Sequence, residues 1–287
     1  LKLKREKMNE SSSYTIGVTG SSGFIGSNLV EYLLKSGFSV KLLKRDFNNQ
    51  DLALCDVIIN LSGANISKRW SKSYKKVLES SRVDTTAKIV SAIKDSPNIK
   101  LLINTSATGI YKQDSTIIQD ESSNLFEDDF LSLLCKKWEE EALKAAPYTR
   151  VVIMRLGVVM SKNGGALPKL SLPVKFGVAA ITGEGDQYIS WIMLEDLLRA
   201  INHIINNQSI SGVVNFTTPY PLTNRELTLR IASEYRVFFK MRIPETVLKL
   251  VMGEASSVLI KGVRAYPGVL EKSGFTFVYP HFPKKNR

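Results

Sequence analysis

Short apolar runs alternate with longer stretches of helical spacing over the first half of the chain. Residues 14–18, 39–44, 56–61, 100–104 and 150–156 read as strands, the last a continuous buried run. Residues 24–35, 71–94 and 128–145 read as helices, and Pro147 stops the last. In the second, Tyr74, Val77, Leu78, Val83, Ile89, Val90 and Ile93 recur near the helical period. Such alternation predicts an α/β fold: a Rossmann-like, doubly wound parallel sheet with helices on both faces. Only about a dozen residues separate the second strand from the third. That is too few for the helix, strand and connection that a full Rossmann half holds there. The sheet is therefore expected without its usual third strand, trimmed at one edge.

Beyond Gly157 the pattern loosens. Gly164-Gly165, Pro168, Pro173 and the glycines from Gly177 to Gly185 mark loops around a short helix. Residues 194–206 read as a helix and 213–216 as a strand. Thr223-Asn-Arg-Glu226 fits a capping box opening a helix over 223–235. The tail over 244–280 reads as two short helices and a terminal strand, 274–279. The expected organisation is a basic disordered extension (1–13), a dinucleotide-binding domain (14–160) and a smaller C-terminal substrate-side region (161–287). Segments near 189–217 return to the first domain.

The turn after the first strand carries the clearest chemistry, Thr19-Gly20-Ser21-Ser22-Gly23-Phe24-Ile25-Gly26. Gly20 permits the tight turn, Gly23 lets the backbone approach a pyrophosphate, and Gly26 lets the helix pack close. The helix N-terminus then offers free N–H groups and a partial positive charge.

Composition narrows the class. The chain has 287 residues, 44% hydrophobic and 23% charged, as in an ordinary globular protein. No segment approaches the roughly 18 apolar residues of a membrane span. The basic N-terminus lacks the apolar core of a secretory signal. Cys55 and Cys135 form neither a disulfide framework nor a metal spacing, so a reducing cytoplasm is expected. The net charge of +12 is dispersed and accompanies no nucleic-acid motif. Anionic small molecules are its expected partners, without nucleic acid, membrane or metal, and the chain is expected to act as a monomer or homodimer. His203 and His281 are isolated and read as structural.

The spacing Gly-x-x-Gly-x-x-Gly resembles the extended short-chain dehydrogenase/reductases, which include nucleotide-sugar epimerases. Members of that superfamily place a Tyr and a Lys four apart on one helix, where the Lys lowers the Tyr pKa for proton exchange with substrate. None of the ten tyrosines here has Lys four residues later. Leu131 and Cys135 occupy those places. That departure, with Asn60-Leu-Ser-Gly-Ala-Asn-Ile66, Arg69-Trp70, Ser81-Arg82, Gly164-Gly-Ala-Leu167 and Ser190-Trp-Ile192, resembles an atypical epimerase-like subgroup with a small C-terminal domain of unassigned function. Met193 stands where the subgroup commonly has His.

The resemblance implies an NADP-dependent oxidoreductase or epimerase-type enzyme on a small hydroxylated or anionic substrate. The alternative is a non-catalytic NADP-binding regulator that lacks the Tyr–Lys pair. Lys44 and Arg45, at the end of the second strand, favour NADP through its 2′-phosphate; Asp46 is an acidic ribose ligand if the cofactor is NAD. With the glycine turn they make the expected cofactor site, together with Leu61, Ser62, Gly63 and Arg82. Ser106 is the expected polarising hydroxyl, with Thr105 and Thr108 as stand-ins, and Tyr111 the expected acid/base. Glu121 reads as a substrate ligand or a solvated carboxylate. Arg69-Trp70 reads as a cation-and-aromatic platform or as a helix entry anchored by Trp70. Arg155 reads as an anion ligand or a partner in a salt bridge. Gln187, Ser190 and Trp191 are expected on the far wall.

Overall fold

The computed structural model describes residues 14–114 and 116–283, so the extension expected over 1–13 lies outside the described residues. Six parallel strands form the central sheet: β1 (Thr15–Thr19), β2 (Ser39–Leu43), β3 (Val57–Asn60), β4 (Leu101–Ala107), β5 (Arg150–Leu156) and β6 (Gly212–Phe216). Their order is β6–β5–β4–β3–β1–β2. The strand order reverses between β1 and β3, the place where open α/β sheets bind ligands. The expected trimming is present. A single short helix, α2 (Asn49–Ala53), fills the connection from β2 to β3, and β2 is the edge strand. A reciprocal capping box between Asn48 and Asp51 lets so short a helix form.

The sheet is buried on both faces. On one side α1 (Phe24–Lys35) and α7 (Leu194–Asn206) set Leu29, Leu33, Leu197, Ile201 and Ile204 against Ile16, Val18, Ile103 and Val214. On the other, α4 (Val83–Lys94) and α5 (Phe130–Leu143) set Ile89, Ile93 and Ala142 against Ile58, Leu102 and Ile153. Both α7 and β6 thus belong to the first domain's core although they follow the loops after Gly157.

The helix expected over 71–94 is two helices, α3 (Lys72–Ser80) and α4, broken at Ser81-Arg82. The break has a polar cause. Ala64 N–H donates to Ser81 Oγ at 3.0 Å, and Arg82 Nη2 donates to Ala64 O at 3.0 Å, so the loop after β3 is tied to the kink. Residues 274–279 form no strand. Phe275 packs into the core with Phe277 against it, and the backbone N–H groups of Val278 and Tyr279 donate to the buried Asp196 carboxylate rather than to a neighbouring strand. Small two- and three-stranded ribbons that the pattern did not predict organise the rest. Val158–Ser161 pairs with Trp191–Met193 and Gly164–Gly165, and Val178–Thr182 pairs with Phe239–Ile243. Two helices, α6 (Leu167–Lys175) and α8 (Asn224–Ala232), pack beside these ribbons, and the expected capping box of Thr223 and Glu226 opens α8. Among the described residues no helix is long and apolar enough to cross a membrane.

Candidate functional site

The glycine turn is shaped by contacts that exclude side chains. Gly20 has φ +65°, and a Cβ there would lie 2.6 Å from Leu61 O. A Cβ on Gly26 would lie 2.2 Å from Gly20 O, so the start of α1 sits against the turn. Gly23 is the N-cap of α1 and supplies no side-chain cap. The first N–H groups of the helix therefore face the switch point without an internal acceptor, which suits an anion. Ser21 and Ser22 border this opening, and Phe24 and Ile25 follow in the first turn. The Phe24 ring leans on Gly164–Gly165, where any Cβ would overlap it.

Beneath the turn lies a buried polar network that pattern reading did not single out. Thr19 Oγ1 donates to Asn60 Oδ1 at 2.7 Å and accepts from Leu61 N–H at 3.2 Å. Asn60 Nδ2 donates to Asn104 Oδ1 at 2.7 Å and to Thr86 Oγ1 at 3.0 Å, and Trp138 Nε1 donates to Thr86 Oγ1 at 2.9 Å. Thr19 and Asn60 end β1 and β3, and their register partner Asn104 lies midway along β4. A polar residue closing an otherwise apolar strand was the available signal for Thr19 and Asn60. The Thr19 hydroxyl thus holds the floor of the cradle.

Lys44, Arg45 and Asp46 are exposed just beyond β2. Among the described residues neither Lys44 nor Arg45 makes an ion pair. Leu61, Ser62 and Gly63 follow β3 on the other side of β1. Arg82 lies under Gly63: a Cβ at 63 would meet its guanidinium at 3.0 Å.

The residues expected to be catalytic, Ser106 and Tyr111, lie in the interior. Ser106 is 1% exposed and its Oγ donates to Glu139 Oε1 at 2.5 Å. Glu139 is also gripped by Arg155, with Nε to Oε1 at 2.9 Å and Nη2 to Oε2 at 2.7 Å. Of the two readings of Arg155, the salt bridge is the one formed. Burial works to lower the Arg155 pKa, but the Glu139 bonds outweigh it and hold the guanidinium above its ordinary value. Tyr111 is fully buried beneath that guanidinium, and its hydroxyl donates to Asn215 Oδ1 at 2.9 Å. Burial raises its pKa. Glu121 completes the chain by accepting from Asn215 N–H at 2.9 Å and from Val269 N–H, and burial raises its pKa as well. Ser106, Tyr111, Arg155 and Glu121 are therefore brought together, but as an interior clamp across β4, β5 and β6. Thr108 Oγ1 bonds Leu156 O and Thr105 Oγ1 bonds Asn60 O. Glu139 was missed because it stands in a run of helical glutamates, Glu139-Glu140-Glu141.

On α5, Leu131 packs against Gly109, and Cys135 is buried with its thiol pushed up to about 12 by burial. No proton-exchanging pair stands on that helix face.

A cleft of about 920 Å³ opens between the start of α5 and the C-terminal helices α9 (Glu245–Met252) and α10 (Ser257–Ile260). Its walls include Trp70, Phe130, Gln113, Asp129, Gln187 and Lys261. Trp70 meets Phe130 edge-on at 5.3 Å, and its Nε1 donates to Ile66 O, so it serves chiefly as an anchor. Gln187 bridges Thr182 O and Leu259 O. Arg69 lies outside against Leu250 O. Trp191 is fully buried on Phe282, and Ser190 bonds the backbone of Val263 and Ala265. Of the expected far wall, Gln187 lines this cleft, whereas Ser190 and Trp191 are interior. Gln113, Asp129 and Lys261 join in one contact set, with Gln113 Nε2 and Lys261 Nζ each 3.2 Å from Asp129 Oδ2. They come from separate segments, so only the fold assembles them.

The sequence matches the NAD dependent epimerase/dehydratase family over residues 16–216. The chain belongs to that family. Residues 243–284 match a second domain, of unknown function. An epimerase family protein of Staphylococcus aureus is 33% identical over 282 residues, covering 91% of this chain and 94% of its own. The chloroplastic SDR39U1 homologue of Arabidopsis thaliana is 31% identical, covering 94% and 85%. Among solved structures, human epimerase family protein SDR39U1 with NADPH superposes with a TM-score of 0.84 at 30% identity, covering 93% of this chain and 96% of that one. The UDP-glucose 4-epimerase of Thermus thermophilus with NAD, at 16% identity and a TM-score of 0.71, shares the fold. This member of the epimerase family thus has a nicotinamide-cofactor fold whose usual Tyr–Lys positions hold Leu131 and Cys135.

Proposed function

We propose that this protein binds NADPH in preference to NADH across the β1/β3 switch point and carries out redox or epimerase-type chemistry on a small hydroxylated or anionic substrate. The uncapped N-terminus of α1, held open by Gly20, Gly23 and Gly26, is the observation that carries this reading. Exposed Arg45 and Lys44 beyond β2 suit a 2′-phosphate. The human relative with NADPH, 30% identical, supports the same cofactor. In this reading the substrate enters the cleft between α5 and α9, and the Ser106–Glu139–Arg155–Tyr111 clamp positions the sheet ends without exchanging protons.

The clamp also favours a second reading. With Leu131 and Cys135 on α5 and the Ser106 and Tyr111 hydroxyls engaged internally, the protein acts as an NADPH-binding regulator without turnover.

Titration with NADPH and NADH, followed by nicotinamide fluorescence, tests the cofactor. Micromolar binding that favours NADPH, and that weakens about tenfold in Arg45→Ala, is expected. Absence of binding by either cofactor removes the proposal. Turnover of NADPH in a screen of carbonyl and hydroxyl compounds separates the enzyme from the regulator.

A further inference from the structure

Every lysine that lines the cleft between α5 and α9 is already paired with a carboxylate of the same lining. Lys261 Nζ lies 3.2 Å from Asp129 Oδ2 and 3.8 Å from Glu127 Oε1, so one ammonium serves two carboxylates. Lys249 Nζ lies 3.2 Å from Glu245 Oε2, one turn away on α9, and Lys75 pairs with Glu254. Asp186 has only Arg225, which stands outside the lining at 4.0 Å, the limit of an ion pair. Arg69 adjoins Gly253 from outside, with its Nη1 on Leu250 O. Among the described residues the lining therefore carries carboxylates in excess of ammonium groups, and no lining cation lacks a counterion.

The excess charge is fixed in place. Asp129 Oδ1 accepts from Ser132 N–H at 3.0 Å as the cap of α5, and Glu127 Oε2 accepts from Gln113 N–H at 3.0 Å. Glu245 leans on Gly183, in the loop that carries Asp186: a Cβ at 183 would lie 3.4 Å from Glu245 Oε1. At about 920 Å³ the cleft has room for a nucleotide sugar, so charge rather than size selects what enters. A diphosphate there meets held carboxylates and gains a cation only by breaking one of the existing pairs. An ammonium meets the opposite field, focused by the walls of the cleft. The rest of the lining suits an apolar body with a hydrogen-bond donor. Trp70, Phe130 and Ile260 are its apolar part, and Gln113 Oε1 is buried with no donor among the described residues.

We propose that this cleft takes a hydroxylated substrate that carries an ammonium group on an apolar body, and that it rejects nucleoside diphosphates. This rests on the reading above that substrate enters between α5 and α9, and it narrows the class from hydroxylated or anionic compounds to hydroxylated amines.

Tyramine, 4-hydroxyphenylethanol and 4-hydroxyphenylacetate share one hydroxylated ring and differ in charge at neutral pH. They are titrated into the full chain by ligand-observed NMR, with and without NADPH, beside UDP-glucose. Tyramine is expected to bind about tenfold or more tightly than the acetate, with the alcohol between them and no binding of UDP-glucose to the NADPH-loaded protein. Asp186→Lys, at a side chain 80% exposed, is expected to bring tyramine and the acetate within about twofold of each other. Glu245→Gln, which frees Lys249, is expected to shift the two in the same directions. Binding of the acetate or of UDP-glucose as tight as that of tyramine overturns the proposal. So does a charge order that persists in both variants, or no binding of any of the three up to about 10 mM. NADPH binding is read separately by nicotinamide fluorescence: its absence with the charge order intact removes the cofactor reading alone.

Discussion

Trp191 shows what burial does to a residue that looks like a ligand. Its ring is fully enclosed against Phe282, and among the described residues its Nε1–H has no acceptor. An unpaired buried donor contributes nothing favourable, so its removal is cheap while loss of the ring is not. Trp191→Phe is expected to cost no more than about 2 kcal/mol in chemical denaturation, against about 3–5 kcal/mol for Trp191→Ala. Equal losses would show that the N–H has a partner. Glu139 is the opposite case. Its carboxylate holds Ser106 and both prongs of the Arg155 fork, and Arg155 is only 4% exposed. Glu139→Ala leaves that guanidinium unpaired inside the protein. A loss of about 3–5 kcal/mol is expected, larger than for Glu139→Ala combined with Arg155→Met. A double variant less stable than the single one would contradict the clamp.

Long buried elements were legible from periodicity because burial on both faces leaves little choice of residue. The strand Arg150–Leu156 and the helix Leu194–Asn206 match the sequence reading residue for residue. Elements set by polar contacts between residues distant in sequence were not legible. The α3–α4 break depends on Ser81 and Arg82 meeting Ala64, which is distant in sequence. The alternation Phe275, Phe277, Tyr279 imitates a strand, yet Asp196 takes the N–H groups of Val278 and Tyr279. The glycine turn was readable because its chemistry is local. The cleft was not, because its walls come from separate segments. One contact between elements carries a pH signature. His203 on α7 hydrogen-bonds Ser273 Oγ at 2.9 Å and leans on Phe275, and burial lowers its pKa. The folded state thus favours the neutral ring. Its contribution is present above the unfolded pKa of about 6.5 and is lost as pH falls through the folded value. Thermal melts at pH 7.5 and 5.5 (about one unit either side) are expected to fall more for wild type than for His203→Gln. Parallel curves would remove His203 from the acid response.

At the scale of the molecule, the C-terminal segment is woven into the first domain. Leu270 and Phe275 lie in the same core as β1 and α1, and Ala265 and Tyr266 feed backbone oxygens to Thr217 and Asn215. The two ends of the sheet fare differently. At β6 an N–H is occupied by the Glu121 carboxylate and α11 (Gly268–Lys272) covers the strand. At β2 no strand among the described residues pairs with the outer backbone edge, and Leu42 is half exposed beside it. An open edge is a template on which another chain can add a strand, and charge is the usual guard against that. Lys41, held by Asp51 at 2.9 Å, interrupts the apolar run of β2, and Lys44 and Arg45 follow it. Lys41→Val is expected to raise light scattering severalfold during refolding, while Lys41→Arg leaves it unchanged. Equal scattering would show that the edge needs no guard. The shortened sheet thus gives the basic residues around β2 the duty of keeping copies of the chain from adding to one another along that edge.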